Sequence, residues 1–189
     1  MPRLYLIRHA KPASTWSQPD PDPGLGQEGA DQARAARDWV LALPTAERPS
    51  RVVSSPLRRC RETAEPTARA LGAVVSIDPS VGEIPTPPGI EPADRPGWLR
   101  AAFQGTWSEI EGGLDYDAWR RAVAGSLVAW DDTAVFSHYL AINAVVSLLS
   151  GSNRVLAFRP DHASITILEM DGTALKLVAK GREAATGVL

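Results

Sequence analysis

The apolar run at residues 4–7, Leu-Tyr-Leu-Ile, stops on Arg8 and His9. A buried strand usually gives way to Gly, Asn, Asp or Pro turn chemistry, so an arginine beside a histidine at such a place looks positioned for a task. The pattern recurs along the chain. "RVVSS" at 51–55 is followed by Arg58 and Arg59, "TAVFS" at 133–137 by His138, and Glu83 lies in the loop after "AVVSI" at 73–77. In open α/β sheets the crevice beyond the carboxyl ends of the strands collects the side chains that do chemistry. Two histidines, at least two arginines and a carboxylate then share one rim. This is the inventory for phosphoryl transfer through a histidine. Arginine forks match phosphate oxygens and neutralise their charge, a neutral imidazole nitrogen attacks phosphorus, and a carboxylic acid protonates the departing alcohol and later activates water. With the positive charge supplied by side chains, such a reaction calls for no metal and no cofactor.

The elements that must position these groups can be read from the pattern. Residues 26–43 carry Ala33, Ala36, Val40 and Leu43 at helical spacing. Residues 57–72 read as a helix opened by Pro56, kinked or divided at Pro66 and stopped at Gly72. A proline-rich stretch from Pro79 to Pro96 predicts irregular loop. Trp119, Val123, Leu127 and Trp130 form a helical stripe, and "YLAINAVVSLL" at 139–149 is an apolar helix ending near Gly151. Two last strands flank the hairpin signal Asp171-Gly172. Strands alternating with helices predict a three-layer α/β/α sandwich, its central sheet mostly parallel with an antiparallel edge.

At 189 residues the chain suits a single domain over 1–189, with a lid or insertion at about 84–129. A hydrophobic content of 44% without a long apolar run predicts no membrane partner. The absence of a signal-like N-terminus and a lone cysteine, Cys60, point to the cytoplasm. A net charge of -2 and a pI near 5.9 give no field that would draw nucleic acid. The sequence is compatible with a homodimer and does not decide for one.

The motifs also carry a resemblance. "LIRHAKP" resembles the Arg-His-Gly signature of the histidine phosphatase superfamily, the phosphoglycerate mutase-like proteins, and "SSPLRRCRETAEPTA" resembles its second signature, which places the essential arginine on Arg59. "VFSHYLAIN" resembles the strand ending in Ser-His, "VGEIP" the segment of the acidic proton donor, and "ASIT" the closing strand. The resemblance implies His9 as nucleophile, Arg8, Arg59 and His138 as a phosphate pocket, and Glu83 as general acid and base. Two departures stand beside the site, Ala10 for the usual glycine and Tyr139 where a glycine often follows the second histidine. Each adds bulk there.

The expected activity is metal-independent hydrolysis of a small phosphorylated substrate. Alternatives are a protein phosphohistidine phosphatase, a phosphoglycerate mutase, or a catalytically silent phosphate-binding module. A metal site built on His9, His138 and His162 lacks any ligand-pair spacing. Glu83 is also readable as a loop carboxylate, His162 as a phosphate or substrate contact at the rim or, more readily, as structural or solvent-facing, Lys11, Arg58 and Arg61 as solvated, and Asp20 and Asp22 as turn residues. Trp98, Phe103 and Trp107 read more readily as core than as cleft wall.

Overall fold

The computed structural model describes residues 1–14 and 20–185. Six strands, β1 (Arg3–Arg8), β2 (Arg51–Ser54), β3 (Val75–Ile77), β4 (Thr133–Ser137), β5 (Ile165–Asp171) and β6 (Ala174–Ala179), form one sheet in the order β3-β2-β4-β1-β5-β6. The pairs β2-β3, β2-β4 and β1-β4 are parallel, and β5 and β6 run antiparallel at one edge. Among the described residues five α-helices cover it: α1 (Gln27–Ala42), α2 (Arg58–Leu71), α3 (Arg95–Gln104), α4 (Tyr116–Leu127) and α5 (Tyr139–Leu149). The result is the three-layer sandwich with a mostly parallel sheet and an antiparallel edge.

Strand periodicity divides the core. Successive side chains of a strand point to opposite faces, and Leu4 and Leu6 pack with Val53, Val135 and the α4 and α5 residues Val123, Leu127, Ile142 and Val145. Tyr5 and Ile7 pack on the other face with Val52, Ala134, Phe136 and the α2 residues Cys60, Ala64 and Ala68. Helix α1 lies on α2 and buries Ala33, Ala36 and Val40. A third cluster, with Ile84, Leu99, Trp107, Tyr116, Tyr139 and Leu140, builds the segment between β3 and β4 onto the start of α5. Trp107 belongs wholly to that cluster, with Trp98 and Phe103 packed against it, which is the core reading of these aromatics.

Four local expectations are revised. Helix α2 runs unbroken through Pro66, because its buried face of Cys60, Ala64 and Ala68 is clamped to the sheet and packing outweighs one missing hydrogen bond. Pro56 lies outside that helix, which starts two residues later at Arg58. Its first N–H groups are served from elsewhere in the chain, since the Asp22 carboxylate accepts from the Arg58 N–H at 2.9 Å. The proline-rich stretch is not wholly irregular, for α3 begins inside it with Pro96 in its first turn, where the ring costs no hydrogen bond. Trp130 lies beyond the end of α4 and still packs against the first core face.

Phe136 is fully buried in β4, one residue before the strand's last position. Phe136→Ala is expected to lower unfolding free energy by roughly 3–5 kcal/mol, read from the urea midpoint with the slope unchanged.

Candidate active site

Parallel register brings the site together. β1 and β4 pair with Arg8 opposite Ser137, so His9 and His138 leave the sheet side by side, and β2 pairs with β4 so that Ser54 opposes Phe136. Backbone bonds hold the strand ends in place: the His9 N–H donates to the Ser137 carbonyl at 2.9 Å and the Ser55 N–H to the Phe136 carbonyl at 3.0 Å. The His9 and His138 rings stand 5.3 Å apart, edge to face.

Each of the five expected side chains reaches this corner. The Arg59 guanidinium, buried in the first turn of α2, lies 3.1 Å from His138 Nδ1 and 3.5 Å from Glu83 Oε2. Glu83 Oε2 is also 3.5 Å from His138 Nδ1, and its other oxygen accepts from the Ile84 N–H at 3.0 Å. Arg8 donates to the Pro160 carbonyl at 3.0 Å and lies over the Tyr139 ring, 4.9 Å from its centre. Ser55 Oγ is 2.7 Å from His138 Nε2.

The proton positions follow from the partners. His9 Nδ1 is 2.8 Å from the Ala10 carbonyl, which only accepts, so Nδ1 carries the hydrogen and Nε2 keeps its lone pair. Burial first, then His138 and the charges of Arg59 and Arg8, hold the His9 imidazole well below its usual pKa, so it is neutral at pH 7. Burial likewise pushes His138 down to about 3, against the pull of Glu83, with Arg59 adding to the lowering. For Glu83 burial works upward, but His138, Arg59 and Arg95 together outweigh it, and the carboxyl lies below its usual value. Arg8 is lowered by burial to about 10 and stays charged at pH 7.

Both departures from the superfamily signature are accommodated. Ala10 is fully buried and its N–H donates to Thr63 Oγ1 at 2.9 Å. Among the described non-glycine residues only Asp132 and Ala163 have positive φ, so Ala10 needs no conformation reserved for glycine. The bulk of Tyr139 is turned to use beneath Arg8 and against Phe103, 5.8 Å between ring centres.

A cavity of about 520 Å³ opens over His9, Arg8 and Arg59. His162 lines it, with its ring 5.8 Å from that of His9, so this histidine belongs to the cavity wall and not to a solvent-facing loop. Asp20 stands at the same wall, and Asp22 caps α2, so both do more than form a turn. Lys11, Arg58 and Arg61 are exposed, as expected of solvated charges. Arg95 was not foreseen. Buried beside the site, it donates to Thr86 Oγ1 at 2.7 Å and to the Ile84 carbonyl at 3.4 Å, bracketing the backbone after Glu83. A single arginine in "PADRPGW" carries no spacing signal that would have found it.

Residues 4–182 match the family model of the histidine phosphatase superfamily, branch 1. The chain belongs to this superfamily. Histidine-phosphatase-type hydrolase chemistry goes with that membership. The mycobacterial glucosyl-3-phosphoglycerate phosphatase in complex with inorganic phosphate is 25% identical and superposes with a TM-score of 0.70 over 99% of this chain and 100% of that one. The Entamoeba histolytica phosphoserine phosphatase bound to 3-phosphoglyceric acid shares the fold at 19% identity, with a TM-score of 0.75 over 96% of this chain and 98% of that one. A 131-residue stretch is 29% identical to the transcription factor tau 55 kDa subunit of Saccharomyces cerevisiae, covering 58% of this chain and 29% of that protein.

The two buried neutral histidines set a pH dependence of stability. Their folded pKa values lie below the unfolded value of 6.5, so the unfolded chain takes up protons that the native chain refuses as pH falls through that value. Stability is full above about pH 6.5 and is lost below it, for His138 down to about pH 3. Between pH 7 and 5 His138 alone removes roughly 2 kcal/mol. The urea midpoint is expected to fall over this interval, and to fall less in His138→Gln.

Proposed function

We propose that this chain is a metal-independent phosphomonoester hydrolase that works through a phosphohistidine at His9. The observation that carries the reading is the His9 Nδ1 bond to the Ala10 carbonyl, which leaves Nε2 unprotonated beside two buried arginines. In the first step Nε2 attacks phosphorus as the ester oxygen leaves, taking a proton from the Glu83 carboxyl. In the second, water gives that proton back to Glu83 as its oxygen displaces His9, and inorganic phosphate departs.

Arg8, Arg59 and His138 form the pocket that holds the phosphoryl oxygens in both steps. Glu83 starts ionised, since its pKa is lowered. A substrate phosphate beside it offsets the charge of Arg59 and raises the carboxyl, so the proton is taken up where the leaving oxygen needs it. Ser55 holds the His138 ring in place through Nε2. Segment 84–129 serves as a lid, because Thr86, Ile90, Pro92 and Arg95 supply one wall of the cavity over the phosphate pocket. Hydrolysis of a small phosphorylated molecule is the form of the reaction that this cavity suits.

The test is phosphate release from a panel of phosphomonoesters with a chelator present. His9→Ala is expected to abolish turnover, and Arg59→Ala to lower it by about 10²–10³. Glu83→Gln should depress hydrolysis of alkyl phosphates far more than that of p-nitrophenyl phosphate, whose anion leaves unaided. Equal losses on the two substrates would remove Glu83 from the acid role, and inhibition by the chelator would count against the metal-independent mechanism.

A further inference from the structure

We infer that the substrate's leaving group carries an uncharged, apolar body, aromatic or branched aliphatic, seated in the cavity above the phosphate pocket. The inference rests on the hydrolase reading above and narrows its substrate class. At about 520 Å³ the cavity falls within the range that encloses drug-sized ligands, far more than one phosphate group fills. Its floor is the phosphate end, Arg8, His9 and Arg59. Beyond it Pro12, Pro21, Pro23, Ile90 and Pro92 give the cavity its apolar lining, beside the polar Thr86 and Arg95.

The chemistry of that wall is selective. Proline has no N–H to donate and a fixed φ, so four prolines give a stiff apolar surface that needs little ordering when a ligand arrives. Hydroxyls or carboxylates set against those prolines would lose water and gain no donor from them. A second anionic group meets a further obstacle. Asp20 stands at the wall with its carboxylate. The Arg95 guanidinium, which lines the cavity, donates to Thr86 Oγ1 and the Ile84 carbonyl and faces Glu83. Burial holds the His162 imidazole down at about 4, against a smaller pull from Asp161, so it too is neutral at pH 7. The wall therefore rewards apolar area, at about fourfold in binding for each methylene removed from water.

The experiment compares phosphates of primary alcohols, so that leaving-group acidity stays nearly constant. These are 2-phenylethyl phosphate and n-hexyl phosphate against glycerol 3-phosphate, phosphoserine and 3-phosphoglycerate, at pH 7. The expected kcat/KM is at least about tenfold higher for the two apolar esters, mostly through KM. Ile90→Ser and Ile90→Asp should shrink that ratio toward one. Turnover that depends on His9 but favours the polar or doubly charged esters overturns the inference and leaves the hydrolase reading intact. If no ester is turned over, the hydrolase reading fails, and calorimetric binding of 2-phenylethylphosphonate against inorganic phosphate decides the inference by itself. Tighter binding of the phosphonate by about tenfold supports it, and equal binding overturns it.

Discussion

Everything at this site depends on three parallel strands ending at the same height. The β1-β4 pairing puts Arg8 opposite Ser137, and the β4-β2 pairing puts Phe136 opposite Ser54. A slip of one residue in either pairing would exchange the two faces of a strand. A slip of β1 against β4 would turn Leu4 and Leu6 away from α4 and α5 and at the same stroke separate His9 from His138. The burial that fixes the register for stability is therefore the same burial that fixes the site geometry. Few side chains need to be placed individually once that register is set.

What the sheet cannot provide is a home for so much charge. Arg8, Arg59 and Arg95 are all buried near Glu83, and unpaired charges in such surroundings are costly. The cluster resolves this by keeping its histidines neutral and its carboxylate ionised, and by anchoring the cations on acceptors. Arg8 uses the Pro160 carbonyl and the Tyr139 ring, and Arg95 uses Thr86 and the Ile84 carbonyl. A surplus of positive charge remains toward the cavity, where it favours an anion.

The parts of this arrangement that were legible in the sequence are those with a period or a turn chemistry behind them. Alternation around residues 4–7 and 133–137, the apolar run at 139–149 and Asp171-Gly172 gave the layers, the sheet type and the antiparallel edge. The residues following the strand runs, with 51–55 and the loop after 73–77 included, gave the side chains that now meet in space, and the family resemblance chose Arg59 over Arg58. Long-range packing was not legible. Nothing near Pro66 announces that Cys60, Ala64 and Ala68 will hold α2 straight. Nothing near Asp22 announces that it caps a helix 36 residues away. His162 and Arg95 were misjudged or missed for the same reason. Their place in the cavity is decided by how a loop and a helix fold back over the sheet, and no local pattern records that.

Cys60 brings one more consequence. Its sulfur lies 3.4 Å from His138 Nε2 and 3.5 Å from the Ser137 carbonyl, with no exposed surface. Burial pushes the thiol far above its usual value, so in the closed molecule it is neither ionised nor within reach of a reagent. It is also the only thiol in the chain. Alkylation of the native protein can then proceed only through those moments when α2 lifts from the end of β4. The rate at which label accumulates is then a clock for that opening, built into the floor of the site and readable without altering a single residue.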